Sequence, residues 1–131
     1  HFRTIVEAYD VVYLVRENFE GRLRFVSGSE EIVPGVEAHW TGGHSSGLQA
    51  VRVKTSRGNV VLASDATHFY ANIGEDRPYS IVSDLAQMYG AFDIVRSLAD
   101  SPAHVVPGHD PLVMERFPAE EGLEGGAVRI A

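Results

Sequence analysis

Not one of the 131 residues is a cysteine. Disulfides and thiolate metal sites are therefore excluded, and any metal must be held by histidine and carboxylate. Basic residues are also scarce: 11 Lys and Arg stand against 18 Asp and Glu, a formal charge of -7, and no cluster of cations interrupts it. Without a basic footprint, nucleic acid and anionic membrane surfaces drop out as partners. No apolar run reaches the roughly 18 to 20 residues of a membrane helix, and the opening HFRTIVEAYD lacks the shape of a signal peptide. A soluble, cytoplasmic protein is expected. Internal repeats, low-complexity tracts and linkers are absent as well.

What remains, 44% hydrophobic and 22% charged, is the composition of an ordinary globular domain. A single domain over 1–131 is the expectation. The chain opens on His1 rather than Met, and its first residues read like the middle of a fold, so a fragment is expected. Phe2, Ile5, Val6, Tyr9, Val12 and Tyr13 recur at helical spacing, which predicts an amphipathic helix with a buried apolar face over FRTIVEAYDVVYLVREN. RLRFV, EEIV and VEAHW, separated by Ser27-Gly28 and Pro34-Gly35, read as a β-meander. LQAVRVKT alternates with period two and turns through SRGN into VVLAS. From Ile81 the spacing of Leu85, Met88, Phe92, Val95 and Leu98 predicts a second helix of about five turns. AHVV reads as a short strand, PGHDP as a tight loop, PLVMERF as a short helix, and the Gly-rich tail can end in a strand. The fold class is α/β (α+β), a mixed sheet with helices on one face.

The stretch GGHSSG can be read in two ways. Gly43-His44-Ser45-Ser46-Gly47 fits the G-x-S-x-G of a nucleophile elbow, in which Ser45 would attack a carbonyl. An elbow requires a helix immediately after it, and LQAVRVKT is a strand, so the context speaks against Ser45. Under the other reading His44 is a metal ligand. Asp65 directly follows the strand VVLAS, and His109 follows HVV through Pro107-Gly108, so three candidate ligands each lie just past a strand. Strand ends on one sheet edge can bring together side chains that are distant in sequence. The plainer readings are a surface histidine at 44 and a helix N-cap at Asp65.

VPGVEAHWTGGHSSGLQAVRV, GNVVLASDATHFYANI and VVPGHDPLV resemble, in order and spacing, the second half of the metallo-β-lactamase superfamily, and most of all its acyl-homoserine lactonase branch. The resemblance implies the C-terminal half of an αββα sandwich and two divalent metal ions, with zinc expected. It implies His44 on one ion, His109 on the other, and Asp65 bridging them as the catalytic carboxylate. It further implies hydrolysis of a small-molecule lactone or ester by metal-bound hydroxide. His68 falls where lactonases often carry a substrate-assisting Tyr, so His68 and the neighbouring Tyr70 become candidate substrate contacts. Against them stands the reading of His68 as an exposed helix residue. His39 and His104 fall within predicted strands and are read as structural.

The chain departs from this family in one large respect. The family's first metal motif, H-x-H-x-D-H, occurs nowhere in the 131 residues. Smaller departures are Gly42 in place of Pro and Ser45-Ser46 in place of Thr-Pro. Alone, the chain is therefore expected to bind metal weakly and to have little hydrolase activity. The rival function is a non-catalytic half-domain that pairs with another chain, with a missing N-terminal half, or with a second copy.

Overall fold

A computed structural model describes residues 6–123 and 125–131. Its centre is a five-stranded sheet in the sequential order β1 (Ser29–Val33), β2 (Val36–Trp40), β3 (Gln49–Thr55), β4 (Gly58–Ser64) and β5 (Val105–Pro107). The first four strands are joined antiparallel, whereas β5 lies parallel to β4. The sheet is thus mixed, as expected from the alternation of short β-branched runs and tight turns. Pro34-Gly35 closes the first hairpin, with Gly35 at φ 81° and its amide bonded to Glu31 Oε1. The SRG turn closes the third, with Thr55 Oγ1 donating to the Gly58 carbonyl.

Among the described residues four helices accompany the sheet: α1 (Ala8–Phe19), α2 (Tyr70–Gly74), α3 (Leu85–Leu98) and α4 (Leu112–Arg116). Helix α3 forms because Met88, Ala91, Phe92 and Val95 make one apolar stripe, and all four are fully buried. It packs against Ala50, Val61, Ala63 and Val105 on one face of the sheet, which is where the main core lies. The side chain of Asp84 caps its N-terminus by accepting from the Gln87 amide at 2.9 Å. That cap sets the start at Leu85, four residues later than Ile81, where the apolar spacing begins. The opposite sheet face carries a smaller cluster of Val60, Val106 and Phe117 with Val113 of α4. Helices therefore flank both faces rather than one.

Three further expectations are corrected. The apolar side chains of α1 are not buried: Tyr9, Val12, Tyr13 and Phe19 are exposed, and Glu17 is its one buried residue, because no described element packs against that stripe. Phe2 and Ile5 lie outside the described residues. RLRFV forms no strand, since it finds no partner in the sheet. His104 belongs to a 3-10 turn (Pro102–His104) and not to a strand. His39, by contrast, sits in β2, where its ring nitrogens contact Ser29 Oγ and Glu37 Oε2 at 2.9 Å each, a satisfied buried histidine. Among the described residues no helix is long and apolar enough to cross a membrane.

Candidate metal centre

Strands β2, β4 and β5 run in the same direction, because β2 and β4 are both antiparallel to β3 and β5 is parallel to β4. Their carboxyl ends therefore share one edge of the sheet. The loops that leave this edge carry His44, Asp65 and His109, and the topology brings the three together.

Asp65 is at the centre. Its Oδ1 is 2.7 Å from His109 Nε2 and 3.4 Å from His68 Nε2, and its Oδ2 is 3.8 Å from His44 Nε2. Three imidazoles thus face one carboxylate. β4 delivers it through an irregular end: the register with β5 shifts between Leu62 and Ser64, and Ser64 adopts φ 48°, a left-handed conformation unusual outside glycine. The turn continues through Ala66 N to Ala63 O and Thr67 N to Ser64 O. Asp65 does not cap a helix, since α2 starts only at Tyr70.

His44 is held from behind. Its Nδ1 lies 2.8 Å from the Ile81 carbonyl, so the proton belongs on Nδ1 and the lone pair of Nε2 is left facing Asp65. The preceding peptide is pinned to the entry of α3, where Ser83 N, Ser83 Oγ and Asp84 N all donate to the Gly43 carbonyl at 2.8 to 3.0 Å. Gly43 is required at this point. It stands at φ 85°, and a Cβ there would lie 2.7 Å from Met88 Cα.

The loops of His68 and His109 are laced together. Gly108 N donates to the Thr67 carbonyl and His109 N to the His68 carbonyl, both at 3.0 Å. Asp110 completes the join, accepting from Tyr70 N on Oδ2 and from Leu112 N on Oδ1. Gly108 also permits close approach, because a Cβ on it would meet Ser64 C and O at 2.8 Å. His68 itself is 6% exposed, which overturns the reading of an exposed helix residue. Burial pushes its pKa below the ordinary histidine value; the Asp65 carboxylate opposes that, and His44 and His109 add to it. Its ring stacks on Tyr79 at 4.1 Å and on His109 at 5.0 Å.

Tyr70 lies elsewhere. Its ring sits 3.8 Å beneath the Arg116 guanidinium and lines a cavity of about 580 Å³ with Ile73, Arg96 and Val105, and no histidine or Asp65 borders that cavity. Burial raises the Tyr70 pKa, so the phenol keeps its proton. Ser45 is exposed and is followed by β3, so the helix that an elbow needs is absent. Sequence reasoning missed Tyr79, Ser83 and Asp110. Only Asp110, inside the G-H-D stretch, carried any local signal.

The donor set fits a divalent cation of borderline softness: imidazole nitrogens and a carboxylate, with one histidine already oriented by a backbone carbonyl. His44, Asp65 and His68 each offer a ligand atom, all within 4.8 Å of one another.

No family profile matches the chain. Over 58 residues it is 34% identical to the N-acyl homoserine lactonase AiiA of Bacillus thuringiensis subsp. kurstaki and, over the same length, to an N-acyl homoserine lactonase of Bacillus cereus. That match covers 44% of this chain and 23% of either relative, so the chain spans about a quarter of their length. Among solved structures, an N-acyl homoserine lactone hydrolase with the product N-hexanoyl-L-homoserine at its catalytic metal centre superimposes with a TM-score of 0.63. The identity is 25%, over 72% of this chain and 38% of that one. A quorum-quenching N-acyl homoserine lactone hydrolase gives a TM-score of 0.59 at 28% identity, over 67% and 37%. AidC, a dizinc quorum-quenching lactonase, shares the fold at 16% identity with a TM-score of 0.55, over 84% and 40%. In sequence and fold the chain thus resembles acyl-homoserine lactonases of the metallo-β-lactamase type, with a match that covers only part of the length of those relatives.

Proposed function

We propose that this chain is the C-terminal half of a metal-dependent hydrolase domain and that the complete enzyme opens the ring of a lactone. His44, Asp65 and His109 are its share of the metal ligands. The observation that carries this reading is the convergence of three same-direction strand ends on Asp65, with histidine Nε2 atoms directed at both carboxylate oxygens. Its likeness to lactonases in sequence and fold supports the substrate class. Divalent ions, zinc for preference, supply Lewis-acid polarisation of an ester carbonyl and a lowered pKa for water when bound.

The chain's own residues do the holding. The Ile81 carbonyl fixes the His44 tautomer, the Ser64 turn presents Asp65, and the bonds between 67–68 and 108–109 keep His109 against it. With Oδ1 toward His109 and Oδ2 toward His44, Asp65 would help hold the metal together with both histidines. The 131 residues contain no H-x-H-x-D-H, so the chain alone should bind zinc weakly and turn over lactone poorly.

Metal analysis and a lactone-opening assay on the purified chain test this. Zinc retained only weakly, and lost in His44→Ala and Asp65→Asn, is the expected result. Robust turnover by the chain alone would contradict it, and so would an upstream coding sequence that lacks H-x-H-x-D-H. The rival reading, a non-catalytic half-domain that pairs with another chain, draws on the apolar sheet face that carries Trp40 and Leu62, 42% and 39% exposed. Activity that resists chelators and disappears in Ser45→Ala would instead revive the serine hydrolase.

A further inference from the structure

We propose that His68 is a metal ligand through Nε2, sharing one ion with His44 and Asp65, rather than a residue that only meets substrate. The proposal rests on the ligand reading given above and adds a donor to it.

Distance is the first argument. Two ligand atoms on one tetrahedral ion, each about 2.1 Å from it, lie roughly 3.4 Å apart. His68 Nε2 to Asp65 Oδ1 is 3.4 Å and His44 Nε2 to Asp65 Oδ2 is 3.8 Å. All three donors fit within 4.8 Å of one another. The spacing around His68 is that of neighbours on a cation.

The second argument is the unmet polarity of the ring. His68 is buried, and its Nδ1 has no hydrogen-bond partner. With the proton on Nδ1, that N–H is unpaired and the Nε2 lone pair faces a carboxylate oxygen, acceptor against acceptor. With the proton on Nε2, the approach to Asp65 is long for a hydrogen bond and Nδ1 is a buried acceptor without a donor. Each tautomer leaves a buried polar atom of the ring unsatisfied. A cation held by Nε2 and the Asp65 carboxylate would remove the lone-pair conflict.

The third is rigidity. Tyr79 stacks on the ring at 4.1 Å, His109 lies on it at 5.0 Å, and the His68 carbonyl is tied to His109 N. The imidazole is held where it is needed, which lowers the entropy cost of ligation.

Zinc affinity, read by competition with a chromophoric chelator, tests the proposal on the folded chain and on His68→Phe, which keeps the stack on Tyr79 but has no donor. His44→Ala serves as the control for the underlying reading. The expected result is a loss of about tenfold or more in zinc affinity for both variants, at unchanged fold by circular dichroism. Loss in His44→Ala with none in His68→Phe would overturn the role of His68 and leave the other ligands standing. No loss in either would overturn both. Should His68→Phe fail to fold, long-range 1H–15N spectra of the unsubstituted chain decide: a His68 Nε2 resonance that does not move at saturating zinc refutes ligation.

Discussion

At the scale of single residues, the site depends on positions that bind nothing. Gly43 combines φ 85° with the backbone of Met88 at 2.7 Å from a would-be Cβ. Gly43→Ala is therefore expected to cost about 2 to 4 kcal/mol from backbone strain and overpacking together. Urea unfolding measures it, and zinc affinity should fall with it because His44 is the next residue. Asp100 offers a pH test. Its carboxylate accepts from Asn59 N and Nδ2, which holds its pKa below the ordinary 3.8. A depressed folded pKa stabilises above the unfolded value, and the contribution is lost as pH falls through the folded one. Asp100→Asn should thus unfold at lower temperature than the parent at pH 7, and the gap should close below pH 3.8.

At the scale of elements, the two long helices make opposite predictions. Phe92 in α3 is fully buried against the sheet, so Phe92→Ala should cost about 3 to 5 kcal/mol in chemical denaturation. Val12 in α1 is 57% exposed, so Val12→Ser should change stability by no more than about 0.5 kcal/mol. Their sequences look equally amphipathic. Periodicity records which face a helix can bury, and says nothing of whether a partner is there to bury it. Strands β2 to β4 were legible because alternation and turn residues agree locally. RLRFV was not, since a short apolar run becomes a strand only if a neighbour supplies its hydrogen bonds.

Across the molecule, among the described residues, one sheet face is covered more fully than the other. α3 covers the face of Ala50, Val61 and Ala63, whereas α4 and Phe117 reach only Val60 and Val106 on the other. Ala38, Val51 and Leu62 lie in register on that second face, and Leu62 and Trp40 remain partly exposed. Such a surface favours association. Sedimentation velocity is expected to detect concentration-dependent self-association, weakened by Leu62→Glu.

The sequence by itself determined the strand order's raw material, the three loops that follow strand ends, and the rejection of Ser45 through the strand after Gly47. These follow from local rules of period, turn chemistry and spacing, which need no knowledge of distant residues. Only the tertiary structure decided that His68 is buried beside Asp65, that Tyr70 turns to Arg116, and that the Ile81 carbonyl orients His44. Each of those depends on a contact spanning 3 to 46 residues, where no local propensity reports which side chain arrives. The physical reason is the shared direction of β2, β4 and β5: pairing across the sheet sets that direction, and it puts three loops on one edge.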